Sequence, residues 1–193
     1  MQNALIVMGL DAILGEGNPL AEEAERIGWI INEVVGAGMG RAREPRTTCF
    51  DALIWGMIRG TEGKMPKNLR RDRIRHQPER FATDPAESIF LGTRVYGPTY
   101  GTATLDNFGL FLLNHEKINR IAFCGLADNE SFAASALDAK HGFGFETYIM
   151  EDAVTGTDPA VLARTLSELG RAGIPRITSE EIIKTWIHGY GEV

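Results

Sequence analysis

Short apolar runs alternate with helix-period patterns from one end of the chain to the other, and this alternation narrows the fold more than any other feature. ALIVMG (4–9), ALIWGMI (52–58), SIFLG (88–92), RIAFCGL (120–126), ETYIM (146–150) and GIPRIT (173–178) read as six strands. Runs of this kind, apolar on both faces, suit strands covered by helices on two sides. After the first run, Asn18-Pro19 supplies a cap and a first helical residue. Leu20, Ala24, Ile27, Ile31 and Val34 then recur every three or four residues up to Gly38, which is an amphipathic helix laid on a sheet. Further helical stretches fall at 103–117, 129–140 and 159–171, the last opened by Asp158-Pro159. Thr178 and Glu181 form a capping-box pattern for a C-terminal helix. Strands alternating with helices build βαβ units, so the sequence predicts an α/β fold. Its form is a three-layer α/β/α domain with a central, mostly parallel, six-stranded sheet, doubly wound and Rossmann-like. The 193 residues contain no repeat or linker and read as one domain, with 59–87 as an irregular basic loop region.

Charge separates functions that composition leaves open. The net charge of −6 argues against a general nucleic-acid binder, yet residues 41–80 hold 11 Lys/Arg against 5 Asp/Glu. KMPKNLRRDRIRHQPER (64–80) is the densest part. It reads either as a basic rim that attracts an anionic small molecule or as a solvated loop or subunit contact. No apolar run is long enough to cross a membrane, and MQNALIVMGLDAILGEG has neither a basic leader nor a small-residue cleavage site. The expectation is a cytoplasmic protein with no membrane partner. Two cysteines and four scattered histidines give no CxxC, HxH or HExxH spacing, so neither a disulfide framework nor a metal site is expected, and no cofactor is implied. Cys124, inside an apolar strand, reads as core, and Cys49 as a bystander.

Open parallel sheets bind ligands beyond the carboxyl ends of their strands. That rule selects the loops 9–18, 92–102 and 126–131. In the third, CGLADNESFAASALDA (124–139) reads as a buried strand turning into a helix whose first turn carries Ser131. Such a turn can aim backbone N–H groups at a ligand oxygen. Ser131 therefore has two readings, a nucleophile or a polar residue that satisfies N–H groups of the helix start. Tyr96 and Tyr100 lie in the second loop and suit pocket walls, whereas Trp29, Trp55 and Trp186 suit core or interface packing.

GTRVYGPTYGTATLD (92–106), GLADNESFAASALDA (125–139), GFGFETYIMEDAV (142–154) and AGIPRITSEEI (172–182) together resemble the isochorismatase-like hydrolase superfamily of isochorismatases, nicotinamidases and related cysteine amidohydrolases. The resemblance runs in order over nearly the whole chain and implies a parallel sheet between helices. It also implies a homo-oligomer, dimer or tetramer. The superfamily's usual chemistry needs an Asp at the end of the first strand, a Lys ahead of the YGxxYGT segment and a Cys at the start of the helix. The Asp and Lys set the charge state of a thiolate that attacks an amide carbonyl.

Position by position, this chain has Gly9 for the Asp, Thr93 for the Lys and Ser131 for the Cys. Arg94, next to Thr93, keeps a positive charge and could hold a carboxylate in bidentate fashion. Asp11, two residues beyond Gly9, is the candidate for a relocated acid or base; its other reading is a loop residue capping local N–H groups or making an ion pair. The resemblance further implies a cis bond between Leu126 and Ala127, with the N–H groups of Ala127 and Ser131 forming an oxyanion hole. Some isochorismatases lack the cysteine and use the first-strand Asp to protonate a vinyl ether, a route that here would pass to Asp11. The resulting expectation is a divergent hydrolase for a small carboxylate, amide or enol ether, or an inactive relative that binds a ligand or assembles.

Overall fold

The computed structural model describes residues 2–14, 17–36, 50, 52–58, 76–83 and 117–187. Six strands form one sheet: β1 (Gln2–Met8), β2 (Ala52–Ile58), β3 (His76–Thr83), β4 (Ile118–Leu126), β5 (Glu146–Thr155) and β6 (Arg176–Ile177). Their order is β3-β2-β1-β4-β5-β6, and every pairing is parallel. The described helices are α1 (Ala21–Gly36), α2 (Glu130–Leu137), α3 (Pro159–Arg171) and α4 (Ser179–Ile182).

The alternation of side chains along β1 sorts the core into two layers. Leu5 and Val7 join Ile27, Ile31, Trp55, Cys124, Met150, Ile182 and Trp186 on the face that α1 and α4 cover. Ala4, Ile6 and Met8 join Phe123, Phe132, Ala136, Ile149 and Leu169 on the face that α2 and α3 cover. The three-layer α/β/α arrangement expected from the sequence is therefore present. Burial pushes the Cys124 thiol well above its ordinary pKa, with the nearby Asp152 carboxylate adding to the effect, which leaves it an inert core residue.

The third strand is where the structure and the sequence reading part. It is His76–Thr83, inside the stretch expected to be irregular, whereas the expected strand at 88–92 and helix at 103–117 lie outside the described residues. HQPERFAT lacks an apolar run because, in this sheet order, β3 is an outermost strand. The register against β2 shifts between Ala52↔His76 and Ile54↔Glu79, across Pro78; proline lacks the N–H that a central strand would need, and edge strands tolerate it.

β5 also outruns its expected end at 150. Phe123 pairs with Ile149 but Gly125 pairs with Val154, so β5 bulges over the intervening residues. From that bulge the Asp152 carboxylate accepts the Ser179 N–H at 3.0 Å and the Ser179 hydroxyl at 2.5 Å, and the Asp152 carbonyl accepts from Arg26 of α1 at 2.7 Å. One bulge thus ties β5 to both helices on its face.

Helix starts follow the sequence closely. Thr178 and Glu181 form the expected capping box at α4. At α3 the Asp158 carboxylate accepts the N–H groups of Ala160 at 2.8 Å and Val161 at 3.2 Å, with Pro159 next to it. Replacing Asp158 by alanine is expected to remove about 1 kcal/mol of stability. In thermal denaturation this should appear as a fall in Tm of about 2–4 °C; an unchanged Tm would mean that Pro159 alone sets the helix start.

Candidate functional site

The strand order reverses direction between β1 and β4, and in such sheets the crevice beyond the carboxyl ends of those two strands is the place where a ligand can enter between helices. β1 ends at Met8. Gly9 still extends the sheet, donating its N–H to the Gly56 carbonyl at 2.7 Å, but its backbone is left-handed at φ 62° and turns the chain into a 3-10 turn, Leu10–Ile13. The strand therefore does not continue to Asp11. The turn carries Asp11 into the protein at 4% exposure, and it is held by Ala12 N–H to the Gly9 carbonyl at 3.2 Å and by the Asn18 amide to the Ala12 carbonyl at 3.4 Å.

The facing wall comes from the β4–α2 turn. Asn129 closes it at both ends: its amide donates to the Leu126 carbonyl at 2.7 Å, and its side-chain oxygen accepts the Phe132 N–H at 2.7 Å. Asn129, not Ser131, is thus the cap of α2. Ser131 is the second residue of the helix and is wholly buried. Asp128 pins the same turn to the β5–α3 connection, accepting the Thr157 hydroxyl at 2.6 Å and the Asp158 N–H at 2.9 Å. Helix caps and loop clamps therefore fix this wall from three sides.

Gly9 and the turn are in close contact. A Cβ added to Gly9 would stand 3.3 Å from the Leu126 Cβ and 3.4 Å from the Asn129 amide nitrogen. The space into which a side chain at position 9 would begin is thus bounded by Leu126 and Asn129.

The peptide bond between Leu126 and Ala127 corrects an expectation. No cis bond occurs among the described residues, so this one is trans. The reason lies in the sheet: the Ala127 N–H extends the β4–β5 ladder and donates to the Thr155 carbonyl at 2.8 Å. A trans amide meets that partner without the roughly 3 kcal/mol that a non-proline cis bond requires. The Ala127 N–H is consequently engaged within the protein.

Of the residues singled out in the sequence, the fold brings Gly9, Asp11, Leu126, Ala127 and Ser131 to the carboxyl ends of β1 and β4. Thr93, Arg94, Tyr96 and Tyr100 lie outside the described residues, as does Cys49. Sequence reasoning singled out Ser131 in this helix start and missed the clamping roles of Asn129 and Asp128; the signal available was Asn three residues before the Phe132 N–H it caps. Among the described residues no group of three or more His, Cys, Asp or Glu side chains could hold a metal ion, and no helix is long and apolar enough to cross a membrane.

Solved structures of isochorismatase-like hydrolases share this architecture. An isochorismatase-like hydrolase from Alkaliphilus metalliredigens superposes with a TM-score of 0.65 over 96% of this chain and 99% of its own, at 16% identity. PnC1 from L. infantum, solved in complex with nicotinate, gives a TM-score of 0.66 over 93% and 94% of the two chains, at 17% identity. The same fold is shared with the MAR1 ribonuclease from Caenorhabditis elegans, with a TM-score of 0.61 over 97% and 82%, at 14% identity. No family model and no curated protein matches the sequence. At these identities the likeness is one of fold.

Proposed function

We propose that the chain is a divergent hydrolase of the isochorismatase-like type whose crevice between β1 and β4 takes a small carboxylate, amide or enol ether, and that the cysteine amidohydrolase chemistry of that group is lost. The observation that carries this reading is the pairing of Gly9 with Ser131. They stand where the resemblance places an aspartate and a cysteine, and both lie at the carboxyl ends of the central strands.

A buried serine hydroxyl ionises far less readily than a thiol and would need a general base. Gly9 supplies none, so acid or base work passes to Asp11, buried in the next turn. In this reading Arg94 anchors a ligand carboxylate, Thr93 replaces the lysine, Tyr96 and Tyr100 wall the pocket, and the Leu126–Ser131 turn offers backbone polarity to developing charge. The ligand is anionic, the partner set holds neither nucleic acid nor membrane, and the chain works in the cytoplasm as a homo-oligomer.

One observation favours a second reading, in which the crevice binds without turnover. The trans Leu126–Ala127 bond and the engaged Ala127 N–H leave the inherited oxyanion arrangement without one of its two donors. An amide-resolved NMR titration tests ligand binding directly, with nicotinate, nicotinamide, benzoate and small enol ethers as probes. Saturable shifts are expected at residues 9–11 and 126–131 for at least one carboxylate, with a Kd of about 1 mM or tighter. Shifts confined to other surfaces, or none, would sink the crevice as a binding site.

A further inference from the structure

Resting on the crevice reading above, we propose that Thr157, an exposed residue of the β5–α3 connection, is a positioning residue for the crevice. Through Asp128 it sets how closely the β4–α2 turn stands to the end of β1, and so how tightly a ligand between them is held. Asn129 fixes the shape of that turn, because both of its bonds stay within residues 126–132. They do not fix where the turn stands. Its place is set by ties to the end of β5: the Ala127 N–H reaches the Thr155 carbonyl at 2.8 Å, and one oxygen of the Asp128 carboxylate accepts both the Thr157 hydroxyl at 2.6 Å and the Asp158 N–H at 2.9 Å. The hydroxyl bond is the shorter of the two, and bonds to an ionised acceptor are the stronger kind.

The connection has no slack with which to absorb a change. A Cβ added to Gly156 would stand 3.0 Å from the Asp128 Cβ and 3.0 Å from the Leu162 Cβ of α3, so Asp128 is held by bonds on one side and by contact on the other. At its far side the same turn meets Gly9, where an added Cβ would stand 3.3 Å from the Leu126 Cβ and 3.4 Å from the Asn129 amide nitrogen. A shift of a few tenths of an ångström at Asp128 is therefore passed on to the crevice, since close-packed groups transmit displacement. Thr157 thereby acts on the crevice from the surface of the protein.

Thr157→Val keeps the shape of the side chain and removes the donor, whereas Thr157→Ser keeps the donor. In amide-resolved NMR titrations of the full chain with nicotinate, nicotinamide, benzoate and small enol ethers, Thr157→Val is expected to weaken whichever probe the parent binds in the crevice by about 3- to 30-fold. Thr157→Ser should restore the parent affinity. Gly156→Ala, which presses on Asp128 directly, should weaken binding as well. Thr185→Val removes another exposed hydroxyl bond, to the Glu181 carbonyl at 2.7 Å, and should leave the affinity unchanged. Before any probe is added, the amides of Ala127, Asn129 and Phe132 should shift in Thr157→Val and return in Thr157→Ser. Binding in the crevice that survives Thr157→Val, or falls equally in Thr157→Ser, would overturn the positioning role and leave the crevice reading standing. Amides at 127–132 indifferent to Thr157→Val would overturn it too. A parent that binds no probe at residues 9–11 and 126–131 would overturn the crevice reading, and this role with it.

Discussion

Gly125→Ala is expected to lower Tm by about 10 °C or more, or to leave the protein insoluble, although it adds only one methyl group. Gly125 lies in β4 beside Met8 of β1, the two central strands. Its φ of 107° is a region that residues with a side chain rarely adopt, and an added Cβ would stand 2.3 Å from the Met8 carbonyl oxygen. Backbone strain contributes about 1–3 kcal/mol, and forced displacement in a packed core about 1–3 kcal/mol more. At about 2–4 °C per kcal/mol for a domain of this size, the sum is a large part of the whole stability. Gly144→Ala separates the two causes. Gly144 also has a positive φ, 75°, but nothing lies within 4 Å of its added Cβ, so only the strain should appear. Equal losses for the two variants would show that the close approach of β1 and β4 contributes nothing.

That approach sits at the switch in strand order, and it shows how far the sequence can be read. β1 and β4 were legible because strands covered on both faces must be apolar on both, which produces ALIVMG and RIAFCGL. β3 was not. An edge strand with Pro78 at a register shift needs no apolar run, and its charges resemble those of a loop. The extension of β5 was hidden for a related reason: the bulge brings Glu151 and Asp152 into the strand, and a carboxylate that clamps Ser179 looks in sequence like the end of a strand. Trp29 is instructive in the other direction. Read from the sequence with Trp55 and Trp186 as core or interface packing, it is exposed and not in the core; the stripe Ala24, Ile27, Ile31, Val34 leaves position 29 on the opposite side of the helix, a signal that reading did not use.

The site divides along similar lines. Topology alone selected the loops after β1 and β4, because the rule that places ligands at strand ends depends on strand order rather than on side chains. The engagement of the Ala127 N–H by Thr155 could not be read, since it depends on how far β5 runs beyond its apolar core. Nor could the clamp from Asp128, which depends on a turn 29 or 30 residues further on meeting this one; the Asn129 cap, by contrast, is local to its own turn.

Asp11 is the residue on which catalysis and mere binding diverge. Asp11→Asn keeps the size and shape of the side chain, so the 3-10 turn and the helix that follows are expected to survive with little change in Tm. What it removes is the ability to give or take a proton, a role typically worth about 10²–10⁴ in rate. In the proposed reading, turnover of whichever carboxylate, amide or enol ether the parent accepts should therefore fall by that factor, while the affinity of the crevice measured by NMR changes less than about tenfold. Turnover that survives the substitution would remove Asp11 from the chemistry and leave it a buried residue that shapes the turn. A parent that binds its ligand at residues 9–11 and 126–131 but converts nothing would instead support the binding reading. The physical reason would already be visible in the crevice: Gly9 brings no acid, Ser131 is enclosed at the second position of α2, and the Ala127 N–H is bonded to Thr155. A site can lose its reactive groups one by one while the strands, caps and clamps that shape it remain, because those serve the fold.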